Sequence, residues 1–258
     1  MGRRPQLWDW IERDSEGSAG FDPASVTSAI LNAGSVSTVV TGLGISSLAD
    51  DKGGSPAVQS TDGERPPRGT GNIITWVADD LEWPMQSGVN NHATAFSLGL
   101  WMRSPLSTVA REILFVRTTP ATANRVKIEI GTDESTLVDV YHSDAVARRG
   151  RTAASQVGDN VWEFWTFEID LTQGTEAAQL VITKNTTPLV LTFSNSLGSP
   201  GAMPAALVQP TGSGLLGAGT NLGTTSPFTG DWGPKIYIAE RQWTLTERTN
   251  LMNHLVPA

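Results

Sequence analysis

Two stretches decide the fold: Phe228-Thr229-Gly230-Asp231-Trp232-Gly233-Pro234-Lys235-Ile236-Tyr237-Ile238, and Thr244-Leu245-Thr246-Glu247 behind it. A Gly-rich segment, which opens at Leu215-Leu216-Gly217, feeds a strand of alternating faces over Lys235 to Ile238. Pro234 stands just before that strand, where it costs no ladder hydrogen bond. Thr244 and Glu247 have the spacing of a capping box, in which hydroxyl and carboxylate each satisfy the other residue's amide. Leu251 and Leu255, one turn apart, give the helix an apolar side.

Upstream the same alternation recurs. Phe96, Leu98 and Leu100 share one face of a strand, and Ser97, Gly99 and Trp101 the other. Residues 73–77, 113–117, 126–130 and 137–141 read as short β-branched or aromatic strands. Residues 162–171 read as the longest strand, with Trp165, Phe167, Ile169 and Leu171 on one side. Residues 180–183 and 189–193 flank a hairpin turn at Asn185-Thr186-Thr187-Pro188. Val36 to Val40 is a further strand. Asp22-Pro23 opens a short helix or turn leading to Leu31. Ser46 to Gly71 and Ser194 to Gly214 read as long Gly/Pro loops, and Asp79 to Pro84 as a turn. Residues 1–20 form an arm carrying Trp8, Trp10 and Ile11, and residues 21–258 one domain. Two readings of those arm residues stand side by side: packing back onto the domain, or anchoring a partner.

Composition narrows the function. The 258 residues hold no Cys, which removes disulfides, thiolate metal sites and thiol catalysis. A formal charge of −8 disfavours nucleic acid and anionic membrane surfaces as partners. No apolar run reaches the length of a membrane span, and the basic start, Arg3-Arg4, has no apolar segment of a secretion signal behind it. Low charge, many turn formers and nine Trp describe an all-β protein with long loops.

Phe96-Ser97-Leu98-Gly99-Leu100-Trp101-Met102, Trp162 to Asp170, the 180–193 hairpin and Phe228 through Glu247 together resemble laminin-G-like, concanavalin A-like jelly rolls. The likeness covers roughly residues 73–256. Leu48 to Gly54, Val58-Gln59-Ser60 and Glu64-Arg65-Pro66 are similar to the lead-in of lectin-like virion proteins of tailed bacteriophages. No Cys pair closes the C-terminal end, and the 194–227 loop is longer than in the eukaryotic members. The resemblance implies a jelly-roll β-sandwich. It also implies a non-enzymatic capsid decoration or appendage protein on the virion surface, contacting major capsid or tail proteins. Such a protein is expected to be a homo-oligomer, with a trimer suiting three-fold positions, and to bind host surface glycans as a secondary role. The alternative is a carbohydrate-binding module or glycoside hydrolase of the same fold.

Particular residues carry candidate chemistry. Trp83, Trp101 and Trp232 offer ring faces to sugars, against packing in core or loop. Laminin-G-like folds often hold one calcium at the rim, which nominates the loop acids Asp79, Asp80 and Asp231, against turn caps and solvated charge. Retaining glucanases of this fold carry two strand carboxylates about 5–5.5 Å apart. Glu168 and Asp170 begin such a motif, but Thr172 and Gln173 stand where its second glutamate belongs, so both read as solvent-facing acids, against a catalytic role that would need a remote third carboxylate. Gly212-Ser213-Gly214-Leu215-Leu216-Gly217 matches a dinucleotide fingerprint in letters, without the strand and helix that motif needs. The histidines, at 92, 142 and 254, show no metal spacing.

Overall fold

A computed structural model describes residues 21–34, 38–40, 44–60, 65–77, 81–84, 94–117, 124–143, 146–207, 213–217, 227–254 and 257. Trp8, Trp10, Ile11, Asp79, Asp80, His92, Gly212 and Leu255 lie outside the described residues.

Among the described residues seventeen strands occur, in the order β1 Ala29–Asn32, β2 Thr38–Val40, β3 Gly44–Asp50, β4 Ala57–Val58, β5 Ile74–Val77, β6 Leu81–Pro84, β7 Ala95–Arg103, β8 Arg111–Arg117, β9 Asn124–Ile130, β10 Thr136–Ser143, β11 Val146–Arg151, β12 Glu163–Asp170, β13 Leu180–Lys184, β14 Thr187–Pro188, β15 Thr192–Leu197, β16 Ser213–Leu216 and β17 Thr229–Ala239. A short helix α1, Glu176–Gln179, precedes β13, and α2, Leu245–Asn253, follows β17. These strands pair antiparallel. The first sheet runs β14-β13-β12-β7-β17, and the far edge of β17 is shared between β5 and β1. The second runs β15-β11-β10-β9-β8-β16-β6-β4-β3-β2. The end of β3 also reaches β1, joining the sheets at one side. The fold is an all-β sandwich with one longer helix, as the sequence predicts.

Alternation explains the core between the sheets. Phe96, Leu98, Leu100 and Met102 from β7 meet Trp165, Phe167 and Ile169 from β12 on the first sheet. Val126, Ile128 and Ile130 from β9, with Val138 and Val140 from β10, face them from the second. Four indoles, those of Trp76, Trp83, Trp165 and Trp232, are fully buried. Each removes about 200 Å² from water, a gross contribution of about 5 kcal/mol before conformational entropy is subtracted. Gly217, at φ +77°, lets the backbone turn against the Trp76 ring, where a Cβ would stand 2.2 Å from a ring carbon.

Several segments differ from the sequence reading. The supposed loop 46–71 contains most of β3 and all of β4, whose buried Ile45, Leu48 and Ala57 do not follow strict alternation. The supposed turn at 79–84 holds β6, with Leu81 and Trp83 inward. Residues 21–31 split into a 3-10 turn, Pro23–Ser25, capped by Asp22, and then β1. Val146–Arg151, rich in Arg and Gly, is a strand that no apolar pattern announces. Asn185 and Thr186, at φ +47° and +68°, close the β13–β14 hairpin. Leu189 N still donates to the Ile182 carbonyl of β13 at 2.9 Å, but the chain then crosses to the other sheet as β15, so residues 190–193 do not extend the second arm of that hairpin. Pro234 lies inside β17, at a register shift between Trp232 and Ile236 that spares it a ladder bond.

Candidate functional site

The two outer faces of the sandwich differ. On the first sheet, the residues that alternate with the core are Gly99 and Trp101 of β7, Phe164 and Glu168 of β12, and Tyr237 and Ala239 of β17. The segment Phe21 to Val26, Trp243 and α2 cover them, with Ile30 and Leu251 buried in a second small core. The capping box is present as predicted: Glu247 N donates to Thr244 Oγ1, and Thr244 N donates to Glu247 Oε2 at 2.8 Å. Gly99 leaves room for the Trp243 ring, which a Cβ would approach to 3.2 Å.

Glu168 fastens this cover. It is 0% exposed and accepts from Arg248 Nε at 2.7 Å, Arg248 Nη2 at 2.9 Å, Trp243 N at 2.8 Å and Thr166 Oγ1 at 2.5 Å. The sequence reading put Glu168 in solvent. The structure corrects it, because the helix laid over this face brings its own arginine as partner. Asp170 is different: its carboxylate closes a turn by accepting from Thr172 N, Thr172 Oγ1 and Gln173 Nε2.

The aromatic candidates are also corrected. Trp83 and Trp232 are 1% and 0% exposed, so neither has a ring face open to a sugar. Trp232 is packed between Trp76, with centroids 4.5 Å apart, and Phe228, at 5.5 Å. Trp101 lies half-buried against Phe164, and its Nε1 donates to the Met252 carbonyl at 3.0 Å at the end of α2. The metal candidate Asp231 accepts from Thr75 Oγ1 at 2.7 Å and from Arg103 Nε at 2.8 Å. Both carboxylate oxygens of Asp231 are thus engaged by neighbouring side chains. Among the described residues no group of three His, Asp or Glu side chains is disposed for a metal. Gly214 to Leu216 lie in a strand, β16, where the fingerprint would need a glycine-rich turn. His142 Nε2 lies 2.9 Å from the Ala202 carbonyl, and His254 Nδ1 2.7 Å from the Tyr237 hydroxyl.

The outer face of the second sheet carries what the sequence reading missed. Lys127 and Glu129 alternate with the inward Val126, Ile128 and Ile130. Asp139 and Tyr141 alternate with Val138 and Val140. Pairing sets Asp139 opposite both Lys127 and Arg149. An ionic chain therefore crosses four adjacent strands, from β11 through β10 and β9 to β8. Arg149 grips Asp139 with two bonds of 2.7 Å, and its Nη2 also lies 3.4 Å from Glu129. Lys127 Nζ lies 2.5 Å from Glu129 and 3.0 Å from Glu112. The three carboxylates are buried, while Arg149 and Lys127 keep about a quarter and a fifth of their side chains exposed.

Burial alone works to lower the Lys127 ammonium, but the Glu129 hydrogen bond and the charges of Glu112 and Glu129 outweigh it and raise its pKa. The Asp139 hydrogen bond likewise raises that of Arg149. Tyr141 is 5% exposed; burial first, and then the Asp139 charge, push its phenol up to about 12, so it remains a hydrogen-bond donor at neutral pH. Its hydroxyl has no hydrogen-bond partner among the described residues. Chemically, the face offers carboxylate acceptors and cationic donors locked to one another, with one phenolic donor uncommitted. The alternating charges on residues 127, 129 and 139 are visible in the sequence, but the register that joins them is not.

No protein-family model matches the chain, and no curated protein does. Solved structures do. A Trypanosoma rangeli sialidase in complex with 2,3-difluoro-KDN aligns with a TM-score of 0.58 at 12% identity, over 93% of this chain and 35% of the sialidase. The binding domain of botulinum neurotoxin serotype D/C aligns with a TM-score of 0.60 at 12% identity, over 91% of this chain and 53% of that domain. The same toxin domain bound to rat synaptotagmin II gives 0.58. The chain thus spans about a third of the sialidase and about half of the toxin domain. At such identity the likeness is one of fold alone, an all-β sandwich.

Proposed function

We propose that this chain is a non-enzymatic carbohydrate-binding module that reads saccharide hydroxyls with the outer face of its second sheet. One observation carries the reading: the opposite outer face is sealed by α2 and the Phe21–Val26 segment, whereas this one presents an ordered ionic chain with an uncommitted phenol beside it. The lectin-like fold agrees with it. A non-catalytic role is favoured by the commitment of Glu168 to Arg248 and of Asp170 to its own turn.

The network points to neutral sugars. Its three carboxylates outnumber its two cations, and both cations are already paired. An acidic sugar would have to break those pairs in a chain of net charge −8. Glycan-array screening followed by calorimetry tests this. Neutral oligosaccharides are expected to bind, and Tyr141→Phe to weaken them about 5- to 10-fold, one hydrogen bond's worth. Binding confined to sialylated glycans, or unaffected by Tyr141→Phe, would defeat the proposal.

A second reading places the module on the surface of a tailed-phage virion, as a decoration or appendage that anchors on capsid or tail proteins and meets host glycans. The likeness of the Leu48–Pro66 lead-in favours it. Loss of particle attachment on deleting residues 1–16, with the sandwich still folded, is the expected result. Unfolding of the truncated chain would refute the anchoring role.

A further inference from the structure

We infer that β15 is the dimerisation edge of this protein, where a second copy of the chain adds its own β15 antiparallel and continues the second sheet across a two-fold axis. A strand at a sheet edge leaves every second N–H and C=O pointing outward and unpaired, and proteins normally blunt such edges with short strands, charge or proline. The first sheet follows that rule: its outermost strand, β14, has two residues and ends in Pro188. β15 does not. It has six residues, Thr192-Phe193-Ser194-Asn195-Ser196-Leu197, with no charged side chain and no proline. Among the described residues it pairs with β11 alone. Thr192, Ser194, Asn195 and Leu197 are exposed, and Val190, just before the strand, is 90% exposed.

Charge selects the occupant. Two copies of a chain of net charge −8 repel, so they meet best where no unpaired charge lies. The β15 edge is uncharged, and the arginines on the strand behind it are matched: Arg148 by Glu176, Arg149 by Asp139 and Arg151 by Asp133. Self-pairing about a two-fold therefore sets no like charges opposite one another. It also closes the edge in both copies at once, which gives a dimer and not an open filament. The interface lies beyond β11, so it leaves the Arg149–Asp139 pair uncovered and stands independently of the carbohydrate reading.

Light scattering on the full chain tests the inference. The wild type is expected at twice the 27.5 kDa chain mass. Ser194→Asp/Asn195→Asp is expected at the single-chain mass with unchanged circular dichroism. In that variant the new carboxylate at position 195 keeps an acceptor for Arg148 Nη1, a role that the Asn195 carbonyl fills at 2.9 Å in the native chain. Adjacent acids also confront each other in either register centred on these two positions. Because the chain has no native Cys, Ser194→Cys/Asn195→Cys gives an independent readout: oxidation should produce a covalent dimer. A wild-type monomer from micromolar to near-millimolar concentration, a trimer, or a dimer that survives the two acids and forms no cross-link would overturn the assignment.

Discussion

The Glu168–Arg248 pair gives the sharpest test of how α2 is held. Arg248→Met removes both guanidinium bonds, of 2.7 and 2.9 Å, and leaves a fully buried carboxylate supported only by Trp243 N and Thr166 Oγ1. Breaking one side of a buried pair costs about 3–5 kcal/mol, because the remaining charge is stranded. The chain has a way to relieve that cost: lifting α2 lets water reach Glu168, at the expense of exposing Leu251, about 2–3 kcal/mol, and roughly half of the ~200 Å² Trp243 indole, about 2–3 kcal/mol more. The two costs are comparable, so local release of the helix competes with global destabilisation. Urea titration should show a midpoint lower by about 1 M. Hydrogen exchange should show lost protection over Leu245–Asn253, while β9 and β10 stay protected at the level the lower global stability allows. Replacing both partners, as Glu168→Leu/Arg248→Met, should recover most of the loss, since no buried charge remains. An Arg248→Met chain within about 1 kcal/mol of wild type, with α2 still protected, would refute the account of Glu168 as the fastening.

Two further predictions follow from the same geometry. Trp232→Ala should cost about 3–5 kcal/mol in urea, because the indole fills space between Trp76 and Phe228; loss of sugar binding with stability unchanged would return Trp232 to the surface. The Arg241 hydrogen bonds, helped by those of Thr244, hold the Glu247 carboxyl at about 2, below its ordinary 4.5. A depressed carboxyl stabilises the fold above its unfolded pKa and loses that contribution as pH falls from about 4.5 toward 2. The Arg241 side chain is 46% exposed, so solvent screening reduces the effect to about 1 kcal/mol. Comparing Glu247→Gln with wild type at about pH 6 and pH 3 checks it: the gap should close at the lower pH, and a gap that widens would contradict the sign.

Local chemistry made much of the sandwich legible. Phe96-Leu98-Leu100 and Trp165-Phe167-Ile169 fall on the core side as their alternation requires, and the Thr244–Glu247 box closes its helix as its spacing requires, because period-2 faces and reciprocal caps depend on neighbours a few residues apart. β11 was invisible for the same reason: Val146-Ala147-Arg148-Arg149-Gly150-Arg151 has no apolar rhythm of its own. Its arginines are satisfied only by Glu176, Asp139 and Asp133, from other parts of the chain.

Sequence by itself determined an all-β chain with these strand faces, this capped helix, and no thiol or disulfide chemistry. Which outer face α2 covers was decided by tertiary structure alone, and with it the fates of Glu168 and Trp101. Tertiary structure also decided that Trp83 and Trp232 are core and that Glu112, Lys127, Glu129, Asp139 and Arg149 form one chain of charge. Alternation tells a residue which side of its strand to take. Only the pairing of strands far apart in sequence determines what lies across from it.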